Sequence, residues 1–92
     1  MARSATSDLA GVLFGPCAAA VVSVLEHLGV ERHRSFCGGF VTDVLNCTSM
    51  FPSDVNSAIS TLLKAGLIRR RGTAIIEVVV ITESQIRALC GP

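Results

Sequence analysis

The start of the chain carries apolar residues at the spacing of a helix. From Ser7 to Phe14, three of them fall at i, i+3 and i+4, which is the spacing of one helical face: Leu9, Val12 and Leu13. Thr6 or Ser7 is suited to cap this helix, and the carboxylate of Asp8 favours its N-terminus. Gly15 is predicted to end it.

A second helix is predicted to begin at Pro16, because proline suits the first helical position, where no N–H group is needed. Its apolar stripe is unbroken: Cys17, Ala20, Val21, Val24, Leu25 and Leu28. Gly29 is expected just beyond its C-terminus. A polar connector from Val30 to Phe36 follows, and Gly38-Gly39 then loosens the entry to the next helix.

Two further helices are predicted before the first strand. The third is short, from about Phe40 to Leu45, and Asn46 is expected to end it. The fourth opens at Pro52 with Ser53 as its N-cap. Its apolar residues fall on one buried face: Val55, Ala58, Ile59, Leu62 and Leu63. Gly66 is expected to end this helix.

A β-hairpin and a last helix are predicted to follow. Leu67 to Arg70 is the first strand, Arg71-Gly72 the turn, and Thr73 to Ile81 the second strand. A strand with one solvated face alternates apolar and polar residues, and this one is almost wholly apolar. We therefore expect both of its faces to be covered, one of them by a partner or by the last helix. That helix begins with the capping box Thr82–Gln85, and its inward residues are Ile86 and Leu89.

Three helices followed by a β-hairpin is the order of a winged-helix domain. In such a domain the second helix of a helix-turn-helix unit enters the major groove, and the hairpin lies beside it. The sequence therefore predicts a single domain over residues 1–92, of the α+β class and mainly α, with a winged-helix fold and short flanking helices. We expect it to be one domain of a larger subunit. Winged helices also serve as assembly modules, so the fold alone does not fix the function.

Composition and charge both favour a domain that binds other proteins over one that binds DNA by itself. The formal net charge is +1, whereas a domain that holds DNA by its own affinity is usually much more basic. Half of the residues are apolar, and so much apolar surface on a chain of 92 residues suggests that a partner covers some of it. We therefore expect protein contacts to dominate and duplex DNA to be bound weakly.

The candidate nucleic-acid-binding residues lie on the fourth helix and on the hairpin. On the outer helix face, amide, hydroxyl and ammonium groups suit base edges or phosphates: Asn56, Ser57, Ser60 and Lys64. Arg69, Arg70 and Arg71 form the basic cluster, placed at the wing tip to clasp a phosphate or an acidic partner. The alternative is a solvated or protein-facing helix and a solubilising turn. The candidate partner-facing residues are Ile75, Val79 and Ile81.

Other chemistries have little support. The four cysteines share no CxxC spacing and are expected to be small buried hydrophobes of a reducing compartment: Cys17, Cys37, Cys47 and Cys90. His33 and Cys37 have a ligand-like spacing, but no second pair accompanies them, so neither a metal nor a cofactor is expected. No P-loop, GxGxxG or thiol-activating motif occurs. We expect a binding module and not an enzyme, without a membrane or a small-molecule substrate as its partner.

Several short motifs are shared with one known family. They are Phe14-Gly15 at the end of the first helix, Gly29 after the second, Leu67-Ile68 after the recognition-like helix, Arg71-Gly72 and Ile76-Glu77 in the wing, and Ile86-Arg87-Ala88-Leu89 before Pro92. On these motifs the whole chain resembles the N-terminal winged-helix domain of an RNA polymerase III subunit. That subunit is itself similar to the large subunit of transcription factor TFIIE.

The resemblance implies a non-catalytic nuclear subunit whose tandem winged helices join a peripheral heterotrimer and assist promoter opening. Two alternatives remain. One is an autonomous, dimeric winged-helix regulator that reads DNA with Asn56, Ser57 and Ser60. The other is a domain that binds left-handed Z-form nucleic acid. Asn56 fits that second family, but Ser60 stands where the family has tyrosine, and the chain has no tryptophan.

Overall fold

The computed structural model describes residues 5–31, 38–72 and 75–90. Within these ranges the chain forms five helices and one three-stranded antiparallel sheet, as expected for a mainly helical α+β chain. In chain order the elements are α1 (Thr6–Phe14), α2 (Pro16–Glu31), β1 (Gly39–Phe40), α3 (Val41–Cys47), α4 (Pro52–Ala65), β2 (Ile68–Arg71), β3 (Ile75–Val78) and α5 (Glu83–Cys90).

Helix α1 buries a different face from the one that its apolar spacing indicates. Leu9 is buried, but Val12 is 84% exposed and Leu13 is 56% exposed. The helix packs so closely on α2 that a Cβ atom on Gly11 would lie 3.2 Å from the Cβ atom of Ala19. Its first turns therefore enter the core while its last turn extends past it, which a local pattern of apolar residues does not reveal.

The start of α1 is tied to the segment that follows β3 by three hydrogen bonds, which we call the Thr6 clasp. The buried hydroxyl of Thr6 donates to the carbonyl oxygen of Val79 at 2.5 Å and accepts from the N–H of Ile81 at 3.0 Å. The N–H of Ala5 donates to the carbonyl oxygen of Ile81 at 2.7 Å. The prediction that Thr6 or Ser7 caps α1 is wrong, because Ala5 is the N-cap and the Thr6 hydroxyl bonds the distant segment instead.

Helix α2 begins at Pro16 as predicted, but it does not end at Gly29. It continues to Glu31, and Gly29 is buried within it, next to the core residue Leu28. Packing of Leu28 and of the helix before it in the core outweighs the roughly 1 kcal/mol that glycine costs inside a helix. The connector predicted after this helix falls mostly on residues 32–37, which lie outside the described ranges.

The ends of α3 and α4 differ by a residue or two from the predicted positions. Asn46 lies inside α3, and the chain leaves that helix at Thr48 in an extended conformation, so no left-handed terminator is used. Pro52 is the first residue of α4 and Phe51 is its N-cap, so Ser53 is not the cap. A proline at the first position removes one of the N–H groups that a cap would have to satisfy, which favours this start.

Helix α4 forms the centre of the core, as its apolar periodicity predicts. The predicted face is buried, with Leu63 half-buried at its margin. Gly66 ends the helix in the left-handed conformation at φ 78°, and its N–H bonds the carbonyl oxygens of Leu62 and Leu63. Helix α4 packs against α2 and the sheet in one cluster of buried side chains, whose largest fully buried members are Leu25, Leu62, Ile68, Ile76, Val21, Val22, Val44 and Val55.

Strand β1 was not predicted. Gly39 pairs with Ile76 and Phe40 pairs with Ile75, so the sheet order is β1-β3-β2 and β2 is an edge strand. A Cβ atom on Gly39 would lie 3.2 Å from a methyl carbon of Leu25 and of Leu28, so glycine lets this strand pass close over α2. Two residues are too few to show the period-2 pattern by which strands are recognised in a sequence.

The hairpin is confirmed, but its second strand ends at Val78 and not at Ile81, while its predicted start at Thr73 lies outside the described residues. Strand β3 ends at Val78, although the N–H of Val79 still donates to the carbonyl oxygen of Leu67 at 2.9 Å, and the chain then reaches the Thr6 clasp. Burial along β3 alternates, with Ile76 and Val78 buried and Ile75 and Glu77 half-buried on the other face. The described chain thus buries one face of β3 fully and the outer face in part, and the prediction that a partner covers that outer face stays a prediction.

Helix α5 begins with the predicted capping box. The N–H of Thr82 donates to Oε1 of Gln85 at 2.9 Å, and the N–H of Gln85 donates to Oγ1 of Thr82 at 3.3 Å. The side chains of Ile86 and Leu89, predicted to point inward, lie outside the described part of the structure. Among the described residues, no helix has both the length and the apolar character that crossing a bilayer requires.

Candidate interaction surfaces

The outer face of α4 is polar and nearly uncharged. All of the candidate residues on it are exposed: Asn56, Ser57, Ser60 and Lys64. The same helix exposes Asp54 and Thr61, so one carboxylate balances one ammonium group along 14 residues. The short hydroxyl and amide side chains can donate and accept hydrogen bonds, but the face gives little electrostatic attraction to phosphate.

A groove separates α4 from the junction of α1 and α2. It encloses about 300 Å³ and is lined by Phe14, Cys17, Ala18, Asp54, Ser57, Ala58 and Thr61. The structure therefore divides the candidate residues of α4 into two groups. Ser57 lines the groove, whereas Asn56, Ser60 and Lys64 are absent from its wall and follow one another at intervals of four residues along the helix.

Large apolar side chains are exposed on the last turn of α1 and directly before α4, the helices that border this groove, and we call them the α1–α4 apolar patch: Val12, Leu13, Phe14 and Phe51. Phe14 lines the groove, and the first two belong to the same last turn of α1. Phe51 is 75% exposed and directly precedes α4, where its carbonyl oxygen accepts a hydrogen bond from the N–H of Asp54. Sequence reasoning missed this patch, because it assigned the apolar residues of α1 to the interior.

The three arginines occupy strand β2 rather than the tip of the hairpin. Arg71 pairs with Ile75 in the ladder, and Gly72 takes the turn conformation at φ 70°, so the prediction that Arg71 belongs to the turn is wrong. The side chains of Arg69 and Arg71 form ion pairs with Glu77 on the outer face of the hairpin. Since side chains alternate along a strand, Arg70 lies on the opposite face.

A shallow trough of about 730 Å³ runs along the hairpin beside these arginines. It is lined by Arg69, Arg70, Arg71, Glu77, Val78, Val79 and Val80. The side chains of Arg69 and Arg71 remain 71% exposed although both contact Glu77, whose own side chain is 13% exposed. The trough therefore presents positive charge at one end and apolar valines at the other.

The three candidate partner-facing residues lie in different surroundings. Ile75 is half-buried on the outer face of β3, and Val79 is half-buried in the wall of the trough. Ile81 packs against the hydrophobic core, and its backbone belongs to the Thr6 clasp. Val79 therefore lies in the same trough as the arginines, whereas Ile81 packs against the core of the chain itself.

The described cysteines are not all buried small hydrophobes as predicted. Cys17 is half-buried with its Sγ atom 3.2 Å from Sδ of Met50, whereas Cys47 is exposed at the end of α3, where its face of this short helix meets no neighbour in the core. Both are free thiols. The predicted pair His33 and Cys37 lies outside the described ranges. Within those ranges, no three histidine, cysteine, aspartate or glutamate residues group as metal ligands would.

Comparison of the chain with known protein families, with curated proteins and with solved structures finds no match. The function must therefore be argued from the surfaces of the molecule.

Proposed function

We propose that this chain is a winged-helix domain that acts as a non-catalytic assembly module of a transcription complex, similar to a subunit of RNA polymerase III. From α2 to β3 the elements run helix, strand, helix, helix, strand, strand. The short β1 adds a third strand to the hairpin, and α4 stands in the position of the recognition helix directly before the wing. These features support the winged-helix fold.

The observation that carries the assembly role is the α1–α4 apolar patch. Leu13 is 56% exposed and Phe51 is 75% exposed, and each is within three positions of a residue that lines a largely apolar groove, namely Phe14 and Asp54. Exposed apolar surface of this kind is typical of a protein–protein contact, since burying it releases roughly 25 cal/mol for each Å² removed from water. In this proposal the patch faces another subunit in the nucleus.

DNA contacts assist in this proposal and do not dominate. The cations that α4 and the hairpin themselves carry are Lys64, Arg69, Arg70 and Arg71, and two of these arginines already share Glu77. Few cations mean few counterions released from the duplex, and counterion release supplies most of the non-specific affinity. The uncharged amide and hydroxyl groups of α4 can bond phosphates, but they release no counterions and so add little to this term.

Duplex binding by the isolated chain is expected to be weak and strongly dependent on salt. We expect a Kd weaker than about 1 μM at physiological salt, with a slope of about −3 to −4 for log K against log salt concentration. Fluorescence anisotropy with a random-sequence duplex measures both. Lys64→Ala should reduce the magnitude of the slope by about 1. Nanomolar binding at physiological salt, lost in Lys64→Ala or Arg70→Ala, would contradict the proposal and indicate an autonomous DNA-binding regulator.

The assembly role is tested by affinity capture of the tagged protein from its own cells. We expect RNA polymerase subunits in the captured material, and a Leu13→Asp/Phe51→Asp variant should lose them because a charge on each side prevents burial of the patch. Val30→Asp is the matched control, since Val30 is an equally exposed apolar residue at the other end of α2. Loss in both variants, or recovery without any polymerase subunit, would count against the role.

A further inference from the structure

We propose that the free edge of β2 binds an acidic, extended segment of a partner protein, which adds a fourth strand to the sheet. The inference rests on the proposed function in one respect, namely that this partner is another subunit of the same assembly. The edge of β2 is then a second contact, distinct from the α1–α4 apolar patch, and it recognises acidic side chains.

The main chain of β2 offers hydrogen-bonding groups at this edge. The N–H of Val79 donates to the carbonyl oxygen of Leu67 at 2.9 Å, which makes residues 67 and 79 a hydrogen-bonded pair. In an antiparallel ladder such pairs recur at every second residue, so Arg69 and Arg71 also bond β3. The N–H and C=O groups of Ile68 and Arg70 therefore point away from β3, toward the side of β2 where the described residues form no further strand.

The side chains on this edge select an acidic occupant. Three consecutive arginines lie on a strand of four residues, and a single carboxylate, that of Glu77, faces two of them. No ion pair of Arg70 occurs among the described residues. The cluster thus keeps about two uncompensated positive charges in a chain whose formal net charge is +1. Opposite charges on neighbouring strands stabilise pairing, whereas like charges oppose it.

A polypeptide suits this edge better than a phosphate backbone does. An added strand supplies both acceptors for the outward N–H groups and donors for the outward C=O groups, whereas phosphate oxygens only accept hydrogen bonds. The valines at positions 78–80 line the other end of the trough and suit an apolar side chain. The neighbouring face of α4 offers one cation, Lys64, so this helix forms no continuous track of positive charge that would lead a nucleic acid onto β2.

The register predicts the sequence of the segment. In an antiparallel addition, the partner residue opposite Arg71 comes first and the one opposite Ile68 comes last. The three residues opposite the arginines should be acidic, and the fourth, opposite Ile68, should be apolar. The expected motif, read from N- to C-terminus, is three acidic residues followed by an apolar one.

The experiment uses the full chain, labelled with ¹⁵N, and the acetylated and amidated peptide Thr-Glu-Asp-Glu-Val-Thr. The peptide should slow hydrogen exchange at the amides of Ile68 and Arg70 about tenfold when its free concentration is about ten times Kd. The amides of Arg69 and Arg71 already bond β3 and should change little. Arg70→Ala should weaken peptide binding about fivefold, while Arg87→Ala, which removes an exposed arginine of α5, should leave it unchanged.

A matched peptide separates strand addition from simple charge attraction. Methylation of the peptide nitrogens of the aspartate and the valine, which face β2 in the expected register, removes the hydrogen bonds but keeps every charge. This peptide should not bind measurably. Equal binding of the methylated peptide would overturn strand addition. If neither peptide binds and a duplex binds weakly while shifting the β2 resonances, the edge binds phosphate and the proposed function still stands. Nanomolar duplex binding at physiological salt would instead overturn the proposed function itself.

Discussion

Replacing Leu62 by alanine is expected to lower the free energy of unfolding by about 2–5 kcal/mol. Leu62 is fully buried in α4, where the core joins α4 to α2 and to the sheet. Truncation removes apolar atoms from this contact and leaves a cavity that rigid neighbours fill only in part. Because domains of this size are stable by about 5–15 kcal/mol, the change takes a large part of the total. Urea unfolding followed by circular dichroism measures it.

Leu13→Ala is the matched control for this change. The same atoms are removed, but Leu13 is 56% exposed on the last turn of α1, so the free energy of unfolding should change by no more than about 0.5 kcal/mol. The melting temperature gives a second measurement, since each kcal/mol corresponds to about 4–8 °C in a domain of this length. If the two variants lose similar stability, Leu13 belongs to the core and the α1–α4 apolar patch does not exist as described.

Replacing Thr6 by valine is expected to lower the free energy of unfolding by about 2–4 kcal/mol. Valine has nearly the shape of threonine but cannot bond the carbonyl oxygen of Val79 or the N–H of Ile81, which the Thr6 hydroxyl joins. Each backbone group left buried without a partner costs about 1–3 kcal/mol. The N–H of Ile81 also loses its acceptor in this variant, so this amide should exchange with solvent faster. Amide hydrogen exchange at Ile81 measures this directly.

Thr6→Ser distinguishes the hydroxyl from the methyl group. Serine keeps both hydrogen bonds and loses only the methyl group, so it should cost about 1 kcal/mol and preserve the protection of the Ile81 amide. If serine and valine destabilise the protein equally and both remove the protection of the Ile81 amide, the Thr6 hydroxyl does not hold the clasp together.

The parts of the fold that sequence predicts well are those that local chemistry determines. The apolar face of α4 repeats at the helical period, and Gly66 ends the helix in the left-handed conformation that glycine adopts most readily. The capping box of Thr82 and Gln85 joins residues three apart in the chain. Each of these features depends on a few neighbouring residues, so the sequence contains them almost completely.

The features that sequence did not predict depend on contacts between distant residues. Strand β1 exists because Gly39 passes close over α2 and pairs with Ile76, which lies 37 positions further along the chain. Thr6 is of a residue type that often caps helices, but its hydroxyl bonds a segment 73 positions away. No local pattern distinguishes a threonine that caps its own helix from one that holds a remote strand end.

The candidate surfaces were predicted in part for the same reason. The residues of the outer face of α4 follow from helical periodicity, and their exposure was expected. The predicted position of the arginines was wrong. The turn begins one residue later than predicted, and Arg71 still pairs with Ile75 in the ladder. The α1–α4 apolar patch escaped prediction altogether, since exposure of Leu13 is decided by where α1 ends relative to α2.

The Thr6 clasp also determines how a pulling force would enter the molecule. Ala5 and Ile81 are joined by a hydrogen bond of 2.7 Å, so the residue before α1 and the segment after β3 meet at one point. Tension applied between positions 5 and 81 would load the three bonds of the clasp first and would reach the core only after they had separated. The unit should therefore open at its entry first, with α1 peeling away while α4 and the hairpin stay packed.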